Sequence, residues 1–397
     1  MKGVATTFNP MSSANRILIV GAGFSGAVLG RELAQLLDAR VLLIDVRDHV
    51  AGNCYTERDA RTQVMLHRYG PHIFHTSRDD VWSYVRRFSE FGTFVNRIKA
   101  SLPRGVFSLP INLATINQFF GKRFTPTEAR AFVETLGDKS IKEPQNFEEQ
   151  ALKFIGKELY EAFFYGYSKK QWGCEPRELS ASILKRLPVR FSYNDDYYAD
   201  RYQGIPLEGY TRIIEGILAH EKLEVRLSTP WDPAMTSEFE HVIFTGPLDQ
   251  FYGYRFGRLG YRTVFWNHKQ ERGDYQGNAQ IHYPDMSHPF TRVIEHKHFT
   301  PWENHDETIV SNEFSKETGE ADIPYYPKRL AQDKLLLAQY LDTARQETKV
   351  SFLGRLATYR YLDMHQIIGE ALDFAPRLAN AIRDRQPRPV FPEAPLL

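Results

Sequence analysis

Apolar positions along the chain change period several times, and each change marks a predicted element. An unbroken run, Ile17-Leu18-Ile19-Val20, leads into Gly21 and then into helical spacing. A second run, Val41-Leu42-Leu43-Ile44, closes a strand–helix–strand unit at Asp45. From about Leu113 to Arg186 the period is helical. One start is written out at Thr125-Pro126-Thr127-Glu128, with Thr at the N-cap, Pro at the first helical position and Glu placed for a capping box. A longer helix follows on Phe147, Ala151, Phe154, Ile155, Leu159, Ala162 and Phe163, with Glu148 and Glu149 at its positive end and Gly166 as the expected stop.

Beyond Gly253 the texture turns to short runs at 262–266, 279–283, 291–295 and 308–312 with turn residues between them, which predicts an antiparallel sheet. Apolar runs at 241–247 and 350–355, the latter followed by a helical pattern from Tyr361 to Ile382, look like a return to the first unit. The expected architecture is mixed α/β. A discontinuous Rossmann-like domain (16–85, 205–250 and 345–383) carries a helical insertion (112–187) and an antiparallel sheet domain (86–111, 188–204 and 251–344). Residues 1–15 show no period and are expected to form a flexible lead, while the proline-rich 384–397 is expected to be a disordered tail.

The turn after the first strand is G-x-G-x-x-G, formed by Gly21, Gly23 and Gly26 with Phe24 and Ser25 opening the helix. Gly21 suits a tight turn, Gly23 a close approach of backbone to a pyrophosphate, and Gly26 close packing of helix on strand. Asp45 follows Gly26 by nineteen residues, where a carboxylate can accept from a ribose hydroxyl. The next stretch, from Asp45 and Val46 to Gly52, Asn53 and Cys54, resembles amine-oxidase-type flavoproteins with two dinucleotide-binding segments. There an acid is followed by a basic stretch and a pair of small residues; Ala51 departs from the second glycine of that pattern.

Composition narrows the partners. Lys plus Arg (50) balance Asp plus Glu (49) with no block of like charge, which argues against a nucleic-acid partner and a polybasic membrane patch. No stretch approaches ~18 apolar residues and no signal-peptide core is present, so a cytoplasmic protein without a membrane span is expected. Two cysteines far apart, Cys54 and Cys174, indicate neither a disulfide framework nor a zinc site. His72 and His75, three apart, lack companion ligands, so no metal is expected. With no G-x-S-x-G and no H-E-x-x-H, the chemistry is expected to fall to a cofactor.

Four further motifs occur in order: Gly70-Pro-His-Ile-Phe-His-Thr76, Tyr167-Ser-Lys-Lys-Gln-Trp-Gly173, Thr291-Arg-Val-Ile-Glu-His-Lys297, and the segment from Gly354 to Met364. Together with the glycine turn they resemble the bacterial UDP-galactopyranose mutase family from Arg16 to about Ile382. That resemblance implies reduced FAD as cofactor and interconversion of UDP-galactopyranose and UDP-galactofuranose without net redox change. In the implied route the flavin N5 attacks the anomeric carbon, UDP leaves, and a flavin–sugar adduct opens to an iminium before the ring recloses.

By position, the family's diphosphate arginines are Arg186 and Arg292, and its diphosphate tyrosines are Tyr197, Tyr326 and Tyr361. Phe163, Phe164 and Tyr167 match residues around the uridine, and Trp172 with Gly173 matches a mobile loop over the sugar. His72 and His75 fall beside the flavin or sugar, with His75 grouped with the two arginines as catalytic. Arg355, Leu362, Asp363 and Met364 close the flavin site from the C-terminal segment. Singly, the arginines would be surface residues and Phe163 a core residue; the ordered motifs give them the other meaning. The resemblance also implies an external electron donor, a homodimer or larger homo-oligomer, and supply of galactofuranose to glycans. Two rivals share the fingerprint: a flavin oxidase, which gives no reason for the Arg and Tyr set, and a flavin-free binding protein of the GDP-dissociation-inhibitor kind, against which the intact glycines and Asp45 argue.

Overall fold

In the computed structural model, which describes residues 16–181 and 189–393, five strands form one wholly parallel sheet. Its order is Leu223–Arg226, Arg40–Ile44, Arg16–Val20, His241–Phe244, Val350–Phe352. The strands read as near-continuous apolar runs because both faces are covered. Helices Phe24–Leu36, Gly209–Leu218 and Met364–Arg383 pack on one face, while Phe239, Tyr340 and Phe391 help to close the other. Phe244, Phe352 and Phe374 are fully buried there, each contributing about 1.5–3 kcal/mol by removal from water. Strands from both ends of the chain and from its middle lie side by side in this sheet.

The second sheet has seven strands, in the order Tyr326–Pro327, Tyr261–Arg272, Glu307–Glu317, Arg292–Glu295, Gln280–His282, Ile98–Leu102, Gly105–Leu109. Its pairings are antiparallel as expected except one: Gln280–His282 runs parallel to Ile98–Leu102, so the sheet is mixed. The hairpin 98–109 arrives from a distant part of the chain and has no tight turn to impose an antiparallel partner.

The helical insertion packs on Phe107, Ile111, Phe147, Ala151, Ile155, Leu159 and Phe163. The Thr125 capping box is present, with Glu128 N–H donating to Thr125 Oγ1 and Thr125 N–H to Glu128 Oε2. Two expectations fail here. Phe154 is 57% exposed, since Gly156 at φ 74° interrupts the stripe. Gly166 does not stop the helix: the chain takes a π turn over Glu161–Tyr165, continues as Gly166–Trp172 and ends at Gly173, φ 67°. Gly166 is needed for a different reason, because a Cβ there would sit 2.2 Å from the Pro284 carbonyl.

The proline-rich C-terminal segment is also not disordered as far as Glu393. Ser351 Oγ donates to the Pro389 carbonyl, Phe352 N–H to Val390, Arg388 pairs with Glu240, and Phe391 is buried against Phe352. Its prolines exclude helix and inner strand but leave an extended segment free to cap the sheet. The expected lead, 1–15, lies outside the described residues. Among the described residues no helix is long and apolar enough to cross a membrane, and both cysteines are free.

Candidate active site

A cleft of about 2120 Å³ runs between the parallel sheet, the helical insertion and the seven-stranded sheet. One end is built from backbone. Gly21 sits at φ 113°, and a Cβ on it would meet Thr245 Oγ1 at 2.0 Å. A Cβ on Gly26 would lie 2.0 Å from the Gly21 carbonyl, the close helix–strand packing expected of the third glycine. Gly23 differs: its nearest neighbour would be the Gly52 Cα at 3.9 Å, so no protein atom requires a glycine there, and the open space faces the cleft. Asp45 accepts from the N–H groups of Ala22 (2.7 Å) and Arg47 (2.9 Å), which ties the second strand to the turn. Ala51, the departure from the flavoprotein pattern, stands at φ 73°, the left-handed region that favours glycine at that position.

Beside this turn Arg47 donates Nη2 to Asn53 Oδ1 (2.7 Å) and lies over Tyr69, while its buried Nη1 has no hydrogen-bond partner. An orphaned guanidinium nitrogen, an open Gly23 and a helix N-terminus at Phe24 form a donor-rich cradle that fits an anionic dinucleotide. Gly21, Gly23, Phe24, Ser25, Asp45, Val46, Gly52 and Asn53 all line the cleft; Gly26 does not, being packed beneath it. Leu362, Asp363 and Met364 close this region, where Asp363 N–H bonds Gln366 Oε1 at the start of the helix Met364–Arg383. Arg355 braces the approach by donating twice to the Leu362 carbonyl and lies over the rings of Tyr326 and Tyr361.

The other end is built from side chains. Arg292 donates Nη2 to Glu313 (2.6 Å) and Nη1 to Gln280 Oε1 (2.9 Å), leaving a buried Nε without a partner. Burial opposes its charge, but the Glu313 carboxylate keeps it fully protonated. Gln280 in turn donates to Asn96 Oδ1, and the Asn96 carbonyl accepts from Tyr197 N–H, so the arginine and that tyrosine share one buried network. Tyr326 and Tyr361 stack at 5.6 Å, and Tyr167 stacks on His282 at 4.9 Å. Burial raises the Tyr167 and Tyr326 phenols, so both stay protonated donors, and it lowers His282 to about 3, which keeps that ring neutral. Phe163 and Phe164, on the π turn, and Trp172, before Gly173, line the same wall.

Between the two ends lie the histidines. His72 donates Nδ1 to the Gly70 carbonyl (2.9 Å), and burial lowers it to about 4, so Nε2 is left as an acceptor. His75 Nδ1 is 2.6 Å from Asp200 Oδ2, and its ring stacks on Tyr198 at 3.6 Å. Burial pushes the Asp200 carboxyl up, but bonds from His75 and Ser77 outweigh it and hold it below the ordinary value. Arg186 lies outside the described residues. Every other expected site residue except Gly26 and Gly173 lines the cleft. Sequence reasoning missed Asp200, Tyr198, Glu313, Gln280 and His282, single polar or aromatic residues whose only signal is the partner that folding brings to them.

A family model described as UDP-galactopyranose mutase covers residues 162–361, and one described as an NAD(P)-binding Rossmann-like domain covers 19–88. A probable UDP-galactopyranose mutase of Klebsiella pneumoniae is 53% identical over 94% of this chain and 97% of its own length. A dTDP-fucopyranose mutase of Escherichia coli is 49% identical over 91% of this chain and 97% of its own. A crystal structure of reduced UDP-galactopyranose mutase superposes with a TM-score of 0.71 at 14% identity, over 94% of this chain and 96% of the other, and shows the same fold.

Proposed function

The chain belongs to the UDP-galactopyranose mutase family, and from that premise we propose that it is an FAD-dependent isomerase interconverting UDP-galactopyranose and UDP-galactofuranose. The observation that carries the reading is the cleft itself, with a dinucleotide cradle at one end and a buried arginine among protonated tyrosines at the other. Gly21, Gly23, Asp45, Arg47, Asn53 and the helix start at Met364 would hold FAD, which in its reduced form supplies an electron-rich nitrogen as nucleophile at the sugar.

The chain's own residues do the rest. Arg292, with Arg186, takes the charge of the diphosphate both when bound and when it departs, and Tyr197, Tyr326 and Tyr361 add neutral donors around it. Glu313 and Gln280 fix two terminal nitrogens of Arg292 and leave Nε for the ligand. Tyr167, Phe163 and Phe164 offer ring faces to the uracil. Trp172 covers the sugar and helps to exclude water, and Gly173 at φ 67° ends the helix that carries it. Asp200 orients His75, and neutral His72 offers an acceptor beside the flavin. The reading carries with it an external reductant for the flavin, a homodimer or larger assembly, a cytoplasmic setting and supply of galactofuranose to glycans.

A second substrate, dTDP-fucopyranose, is favoured by one observation, the E. coli relative at 49% identity. Steady-state kinetics of the reduced, flavin-loaded protein on UDP-galactofuranose and dTDP-fucofuranose decide between them. The proposal expects the larger kcat/KM for UDP-galactofuranose; the reverse order reassigns the substrate, and no turnover of either removes the isomerase reading.

A further inference from the structure

The short helix Gly166–Trp172, which carries Tyr167 and Trp172 into the cleft, is fastened to the seven-stranded sheet through two adjacent residues, Lys170 and Gln171. Lys170 reaches into the turn 283–290, between the strands Gln280–His282 and Arg292–Glu295. There its ammonium meets four backbone carbonyls, those of Tyr283 (2.5 Å), Asp285 (2.7 Å), Phe290 (2.9 Å) and His288 (3.1 Å). An ammonium has three protons, so at least one bond is shared. Gly166 abuts the Pro284 carbonyl of the same turn. The neighbouring Gln171 carbonyl accepts from Arg262 Nε (3.0 Å) and Ser315 Oγ (2.7 Å), and Arg262 is itself paired with Glu317.

Four carbonyl dipoles converging on one point repel one another unless a cation sits among them, and a carbonyl left without a donor is destabilising. Lys170 therefore decides whether the turn is drawn in against the helix. Tyr167 lies one helical turn before Lys170, and Arg292 follows the turn directly after Thr291. We propose that Lys170 is a positioning residue whose ammonium locks the 283–290 turn to this helix and so sets the spacing of Tyr167 and Arg292 across the nucleotide-sugar end of the cleft. The proposal rests on the reading of that end as a UDP-sugar site.

The charge at this point responds to pH. Burial lowers Lys170 to about 8, with only Asp285 working the other way. The surrounding groups are Tyr283, Asp285 and His288 on the turn, His282 on the preceding strand, Tyr167 and Lys169 on its own helix, and Arg262 with Glu317 at the helix end. Tyr167, Tyr283 and Lys169 are raised, and Asp285 and His282 are lowered, so none of those five moves into the range just above neutrality. As pH rises through about 8 the ammonium loses a proton, one donor is lost, and the turn loosens.

Calorimetric titration of the flavin-loaded protein with UDP at pH 7 and pH 9 tests this. Wild type should lose several-fold in affinity between the two. Lys170→Met should bind UDP at least tenfold more weakly than wild type at pH 7, with unchanged flavin content and little further loss at pH 9. Equal UDP affinity of wild type and Lys170→Met, or a flat wild-type profile, overturns the proposal. If the variant does not accumulate as folded protein, the wild-type profile alone decides. Failure of wild type to bind UDP at all removes the reading of the cleft and the proposal with it, an outcome distinct from equal binding by the two proteins.

Discussion

The two ends of the cleft reach the same purpose by different means. At the dinucleotide end the shape is made by backbone: glycines at 21 and 26 that tolerate no Cβ, parallel strands in register, and helices that start at the cleft. At the Arg292 end it is made by side chains gathered from distant segments, with Arg292 held by Glu313 and Gln280, Gln280 by Asn96, and His75 by Asp200. A backbone-built site is specified locally, so it can be read from a short motif. A network-built site is specified by partners far apart in sequence, and each member is exposed to the loss of any other.

Breaking the network end should have the largest effect. Arg292→Ala is expected to reduce turnover by at least ~10²–10³-fold while flavin is retained. Leaving Glu313 buried without its partner should also cost about 3–5 kcal/mol of stability. Single-turnover kinetics and thermal melts of the same preparation check both. At the other end two glycines separate packing from ligand contact. Gly26→Ala drives a Cβ into the Gly21 carbonyl and should cost about 1–3 kcal/mol as well as the flavin. Gly23→Val, at φ −82°, strains nothing and should lose flavin with the apoprotein melting within about 0.5 kcal/mol of wild type. A normal flavin spectrum in Gly23→Val would remove the pyrophosphate role of that turn.

A smaller effect is expected from pH. His67 and His296 are buried and neutral in the sheet region behind the cleft, and burial holds His67 near 3. An unfolded histidine titrates near 6.5, so the unfolded chain takes up protons that the fold refuses. Stability is therefore full above about pH 6.5 and falls as pH drops toward 3. Melts at pH 7.5, 6 and 5 should show the decline, and His67→Phe should make it shallower while His72, His282 and His296 still contribute. The smallest change is Thr125→Ala, which removes an exposed capping box and should cost about 0.5–2 kcal/mol with no change in activity.

The first strands of the parallel sheet, the capping box and the glycine turn were legible because period, capping and glycine placement are local signals. The π turn, the continuation past Gly166 and the parallel pairing of Gln280–His282 with Ile98–Leu102 were not. Each depends on a distant contact: Pro284 against Gly166, Leu136 against Gly156, and a hairpin docked from elsewhere in the chain. The expected tail misled for a related reason, since composition excludes helix but says nothing of the sheet face that Phe391 covers. At the site, the motif-borne residues from Gly21 to Met364 that line the cleft carry a local signal, whereas their supports, Asp200, Glu313, Gln280 and Lys170, carry none.

The measurement that bears most directly on the account is anaerobic incubation of one flavin-loaded preparation with UDP-galactofuranose before and after dithionite reduction, followed by chromatography of the UDP-sugars. The account predicts conversion to UDP-galactopyranose only in the reduced sample; absence of conversion with bound and fully reduced flavin would contradict it.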